Sequence, residues 1–171
     1  MNDVATEAGV TKPVLYQHFA SKRDLFQAVL DDVGGRLEHD IIRSAAEAGS
    51  PREQVARGFA AYLRFVETDS DGFRLLFTGT SREDDEWVTI TQRVEGSIAT
   101  SIAGLIDVPG ISDERPILFA HGMVGMAEGM GRHWLAEGGH FDPGPLAVDM
   151  TNLAWSGLRG LESAEATPST S

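Results

Sequence analysis

Cysteine is absent from the chain. That excludes disulfides and thiolate metal sites, and it fits a reducing cytoplasm. Lysine is almost as scarce, with only Lys12 and Lys22. There is no run of about eighteen apolar residues, so no membrane-spanning helix is expected. The N-terminus lacks a basic stretch leading into an apolar one, so no secretory signal is expected either. No segment alternates apolar and polar residues as a half-buried strand does, and no repeat recurs at a fixed period. These absences leave an all-α, cytoplasmic chain of 171 residues. It is long enough to bury a good core, as one body or as a small head on a larger one.

The net charge of −12 looks unfavourable for nucleic acid, but its distribution matters more than its sum. Residues 1–30 hold Lys12, Lys22 and Arg23 against Asp3, Glu7 and Asp24, so they balance. The whole deficit sits in residues 31–171. An acidic body facing away from DNA, with a neutral head that can approach it, matches that division. Few phosphates can be neutralised per head, so non-specific affinity is expected to be modest.

The first thirty residues organise the rest. Asp3 to Ala8 reads as a short helix with Val4, Ala5 and Ala8 as its apolar positions. Gly9 follows, free to take the positive φ of a helix end. Thr11 is placed to cap a second helix with its hydroxyl, and Pro13 falls in the first turn, where a missing N–H costs nothing. Val14, Leu15 and Phe19 form its apolar stripe, leaving Lys12, Tyr16, Gln17 and His18 to project outward. Ser21 opens a third helix, with Asp24 three residues on completing a capping box. A short helix, a glycine turn and a capped second helix are the marks of a helix-turn-helix DNA reader.

The run AGVTKPVLYQHFASKRDLF, residues 8–26, resembles the operator-reading segment of the TetR family of bacterial transcriptional repressors. The turn, the Tyr-x-His-Phe at the end of the recognition helix and the Ser-Lys opening the next helix carry the resemblance. The rest of the chain matches the family in length and helical pattern, without a diagnostic motif. The resemblance implies a homodimer whose last two long helices pair as a four-helix bundle, reading double-stranded operator DNA and released by a small ligand. It also implies that Tyr16, His18 and Lys22 touch the DNA backbone. The family normally carries another helix and a basic arm ahead of the point where this sequence begins. A late-assigned start or a trimmed fragment is therefore expected.

Beyond the head, Phe26, Val29, Leu30, Val33, Leu37 and Ile41 give the third helix one buried stripe, to about Ala48. Gly34 and Gly35 interrupt it, as a kink, a close helix crossing or a tolerated weak spot. Ser50-Pro51 restarts a helix bearing Val55, Phe59, Tyr62, Phe65 and Val66, to about Thr68. Residues 69–72 read as a turn before a short apolar helix, Phe73 to Phe77, and 79–85 as a polar loop. A further helix carries Trp87, Ile90, Val94, Ile98 and Ile102 and is broken at Val108-Pro109-Gly110. The next aligns Phe119, Met123, Met126, Met130 and Trp134 on one face, as core packing or as the lining of an adaptable pocket. Gly122, Gly125 and Gly129 make a neighbouring small-residue face that lets another helix approach. A glycine- and proline-rich loop containing His140 leads to a last helix from about Pro145 to Leu161, and residues 163–171 read as a disordered tail.

The candidate sites follow. For DNA they are Thr11, Lys12, Pro13, Val14, Tyr16, Gln17, His18 and Lys22. Thr11 lies at a helix N-terminus suited to phosphate, and Lys12 and Lys22 offer point charges. Gln17 and Lys12 are the candidates for base edges, and Pro13 and Val14 for a thymine methyl. The expected ligand pocket comprises Phe59, Tyr62, Phe77, Trp87, His121, Met126, Met130 and Trp134, and the expected dimer interface Gly125, Gly129, Trp155 and Leu158. His121, His133, His140 and Glu128 lack metal-ligand spacing, and Glu128–Arg132 has the i,i+4 spacing of an ordinary ion pair. No phosphate-binding glycine loop or nucleophile elbow occurs, so no cofactor, metal or enzymatic activity is expected. The reading is a ligand-responsive DNA-binding regulator of transcription, a repressor, in the form of an operator-bound dimer released by an apolar effector. The alternatives are a truncated relative that dimerises or binds ligand without DNA, and a helical-bundle enzyme using His121. Residues 1–30 form the head, 31–162 the ligand-binding and dimerisation body.

Overall fold

The computed structural model describes residues 1–77, 85–105, 115–140 and 142–165, apart from the side chains of 85–87, 90, 91 and 159–165. The described residues form helices throughout: α1 (Asn2–Glu7), α2 (Lys12–His18), α3 (Lys22–Ala46), α4 (Pro51–Thr68), α5 (Ser70–Phe77), α6 (Asp85–Ala103), α7 (Arg115–Ala136) and α8 (Pro143–Glu165). The loop expected at 79–85 and the break at Val108-Pro109-Gly110 lie almost wholly outside the described residues.

Local signals fix most helix ends. Gly9 takes φ +66° after α1, where a side chain would meet its own carbonyl. At the start of α3 the Asp24 N–H donates to Ser21 Oγ at 3.1 Å. At the start of α4 the Glu53 N–H donates to Ser50 Oγ at 3.3 Å, and the Gly49 N–H donates back to Glu53 Oε2 at 2.8 Å. That returned bond, with Arg57 second, holds the Glu53 carboxyl below its ordinary pKa.

Several helix ends differ from the sequence reading. Thr11 occupies the N-cap of α2 with extended backbone, but its side chain makes no capping bond. Residues 70–72, read as a turn, are the first turn of α5, because Asp69 accepts the Gly72 N–H at 3.0 Å and so caps a helix. Likewise α8 begins two residues early, at Pro143, with Asp142 Oδ1 accepting the Gly144 N–H at 2.9 Å. It continues to Glu165, into the segment expected to be a tail.

The core is centred on α3 and α4. Leu30, Val33, Leu37 and Ile41 of α3 are buried against Phe59, Tyr62, Leu63 and Val66 of α4, joined by Phe73 and Phe77 of α5 and Val94 and Ile98 of α6. Phe73 meets the Tyr62 ring edge-on at 6.2 Å. In the stripe expected on α3, Phe26 is half-buried and Val29 is 38% exposed, so both stand at the margin of this core. α8 lies against α4, and α7 against α6.

The two central glycines of α3 do different things. A Cβ on Gly34 would stand 2.3 Å from Val94 Cγ1, whereas one on Gly35 would meet nothing within 4 Å. Gly34 is therefore the close crossing of α3 over α6. Gly35→Ala is expected to stabilise the protein by up to about 1 kcal/mol through helix propensity alone. Gly34→Ala should instead destabilise it by about 1–2 kcal/mol, because a stiff β-branched neighbour must move. Chemical denaturation of both variants checks this, and Val94→Ala should cost less in the Gly34→Ala background than in the native one.

Candidate nucleic-acid interface and ligand cavity

α2 presents the DNA candidates together. Thr11, Lys12, Pro13, Val14, Tyr16, Gln17, His18 and, from the first turn of α3, Lys22 are all exposed, while Leu15 is 7% exposed and anchors the helix. Val14, expected in the apolar stripe, is 38% exposed instead. Seven residues make two turns, and Leu15 with the half-buried Phe19 suffices to seat them. Lys12 Nζ lies 5.9 Å from the Tyr16 ring centre, so the two outward side chains hold one another. Val4 and Val10 are also exposed on the head, leaving Ala5 as the buried residue of α1.

A second feature lies in the body. α3, α4, α5, α6, α7 and α8 together line a cavity that is partly open to solvent. Of the pocket residues expected from the sequence, Phe59, Tyr62 and Phe77 line it. Met126, Met130 and Trp134 do not; they pack against the main core beside it. His121 is exposed and away from the lining. The side chain of Trp87 lies outside the described residues.

The lining that sequence reasoning missed comes from stripes that look like ordinary core: Leu37 and Ile41 of α3, Ile98 and Ile102 of α6, and Met123, Val124 and Ala127 of α7. Trp155 and Leu158, expected at a dimer interface, also line the cavity, and Leu158 is 8% exposed within the single chain. They are turned inward because α8 packs on α4. Gly125 and Gly129, by contrast, have open space where a Cβ would stand. The close approach along α7 occurs at Gly131, whose Cβ would lie 2.4 Å from the Tyr62 hydroxyl.

The cavity is almost wholly apolar. Among the described lining residues the polar groups are those of Gln54, Tyr62 and the Trp155 indole, and the Tyr62 hydroxyl is committed to the Ala127 carbonyl at 2.8 Å. Among the described residues, no charged side chain lines the cavity. An ionised group buried there would go unpaired, at a cost of several kcal/mol. Glu128 and Arg132 pair with each other on α7. Burial, and behind it the Glu128 carboxylate, pushes the Tyr62 phenol well above its ordinary pKa.

Among the described residues no helix is long and apolar enough to cross a membrane. No group of three or more His, Asp or Glu residues is arranged to hold a metal ion there.

Comparison with known proteins gives these features a context. Residues 1–29 match the family described as bacterial regulatory proteins, tetR family. Over 165 residues the chain is 28% identical to the HTH-type transcriptional activator FasR of Mycolicibacterium smegmatis, spanning 92% of this chain and 73% of that protein. It is 31% identical over 101 residues to the A-factor receptor protein of Streptomyces griseus, spanning 55% of this chain and 34% of that one. A TetR-like transcriptional regulator from a Rhodococcus species superposes with a TM-score of 0.71 at 28% identity, over 92% of this chain and 82% of the other. The fatty acid degradation regulator FadR from Bacillus halodurans shares the fold, with a TM-score of 0.79 at 16% identity, over 91% and 83% of the two chains.

The Tyr62 environment predicts a pH response. The folded state keeps the phenolic proton that the unfolded chain releases near pH 10.0. This contribution to stability is therefore complete below that pH and is lost as pH rises above it. Denaturant midpoints should fall between about pH 9 and about pH 11, and fall less steeply in Tyr62→Phe. That variant should also be less stable at neutral pH by about 1 kcal/mol, through the lost hydrogen bond.

Proposed function

We propose that this chain, which carries the helix-turn-helix head of the tetR family of bacterial transcriptional regulators, binds a pseudo-palindromic operator as a homodimer and is released from it by a small, uncharged apolar effector held in the body cavity. The observation that carries the reading is that one helix belongs to both sites. α3 bears Lys22 at the DNA-facing end, and Leu37 and Ile41 in the cavity wall. A ligand that alters the packing of Leu37 and Ile41 acts on the element that sets the angle of the head.

Dimerisation follows from the size of the reading surface. One seven-residue helix spans only a few base pairs, so two heads about one DNA turn apart, ~34 Å, are needed to specify an operator. The partner surface is the outer side of α7 and α8. There Leu118, Val148 and Leu153 are 66%, 55% and 58% exposed, and Gly125 and Gly129 leave room for a second backbone. Within each head Gln17 and Lys12 read base edges, Val14 and Pro13 meet thymine methyls, and Tyr16, His18 and Lys22 hold phosphates.

Effector binding then acts as a population shift toward a head separation that does not fit the operator. FasR is named as an activator, so the sign of the effect is itself part of the test. Fragments of the host genome selected for binding give the operator, and fluorescence anisotropy gives its affinity. Uncharged apolar compounds that enter the cavity should weaken operator binding by about tenfold or more. Unchanged affinity with every compound that enters would sink the release mechanism. Lys22→Ala should weaken binding evenly across sequences and reduce the salt slope by about one, whereas Gln17→Ala should relax base preference at one position in each half-site.

A further inference from the structure

α6 has two working faces. Ile98 and Ile102, one turn apart, line the cavity. Ser97 and Ser101, beside them on the same helix, both donate to a single carboxylate on α3. Ser97 Oγ reaches Glu38 Oε2 at 3.1 Å, and Ser101 Oγ bonds Glu38 Oε1. Glu38 in turn follows Leu37, which lines the cavity from the α3 side. The same seam carries the Arg93–Asp31 ion pair at 2.6 Å and the Gly34–Val94 crossing. Partners rise in number together along both helices, so α6 runs beside α3 in the same sense.

The chemistry of this seam, which runs along the solvent-facing margin of the core, differs from that of the core itself. Apolar packing is non-directional and holds the register of two helices through shape alone, as at Gly34 and Val94. Two hydroxyls one turn apart on the two oxygens of one carboxylate have a single axial and rotational register, and such charge-assisted bonds are stronger than neutral ones. With the register locked, pressure on Ile98 and Ile102 displaces α6 and α3 as one unit. Without it, α6 shifts along α3 and the head stays where it was.

We infer that Glu38, with Ser97 and Ser101, is the positioning clamp that converts occupancy of the cavity into reorientation of the head. The inference rests on the cavity being the effector site. Its test uses the full chain and an uncharged apolar fluorophore, N-phenyl-1-naphthylamine, as the probe. Fluorescence reports occupancy, and hydrogen exchange of the α1 and α2 amides reports the head. In the native protein the probe should alter head exchange by about fivefold or more. In Ser97→Ala/Ser101→Ala it should bind with near-native affinity and leave head exchange unchanged. Glu38→Gln, which keeps the size and one acceptor, should retain part of the response. An undiminished head response in the double variant overturns the clamp and spares the cavity reading. A native protein that binds the probe with no head response overturns it too. No binding by the native protein overturns the cavity reading, and the clamp with it. Loss of folding or of probe binding in both variants assigns these residues a purely structural role and overturns the proposal.

Discussion

The close crossing of α3 over α6 is the constraint on which the rest of the molecule depends. It exists because Gly34 has no side chain, and Val94 occupies the space a Cβ would take. Bringing two backbones this near sets the spacing at which Ser97 and Ser101 reach Glu38 and at which Arg93 reaches Asp31. Leu37 and Ile98, a few residues further along the same two helices, both line the cavity.

The polar seams are few and serve position more than stability. Exposed ion pairs such as Arg36–Asp69 contribute only about 0–1 kcal/mol each. Yet Asp69 also caps α5 through the Gly72 N–H, so the pair ties the α4–α5 corner to α3. Arg52 makes a similar link, donating to Asn152 at 2.7 Å and joining α4 to α8 near the cavity-lining Pro51 and Trp155. α7 has a directional link of its own to α4, the buried Tyr62 hydroxyl donating to the Ala127 carbonyl at 2.8 Å.

The head was the most legible part of the sequence, and the cavity the least. Gly9, Ser21 and Leu15 act through their own residue and the three or four beside it, so their roles could be read without a fold. All eight DNA candidates emerged exposed for the same reason. A Met and aromatic stripe such as Met126, Met130 and Trp134 is compatible with a pocket, but periodicity reports only that a face is covered. Whether the covering is a neighbouring side chain or empty space depends on helices distant in sequence. Trp155 and Leu158 show the same limit, since an apolar stripe on a last helix looks alike whether it faces α4 or a second subunit.

The sequence by itself determined most of the helices and several of their caps, because a capping hydroxyl, a positive-φ glycine and a 3.6-residue period are local properties. It also placed the two lysines in a charge-balanced head, ahead of any structure. Tertiary structure alone decided which glycine is a crossing and which is open helix, and which apolar residues enclose the cavity. Those outcomes depend on distances between segments tens of residues apart, such as Glu38 to Ser101 or Tyr62 to Ala127, and no pattern within one segment encodes them.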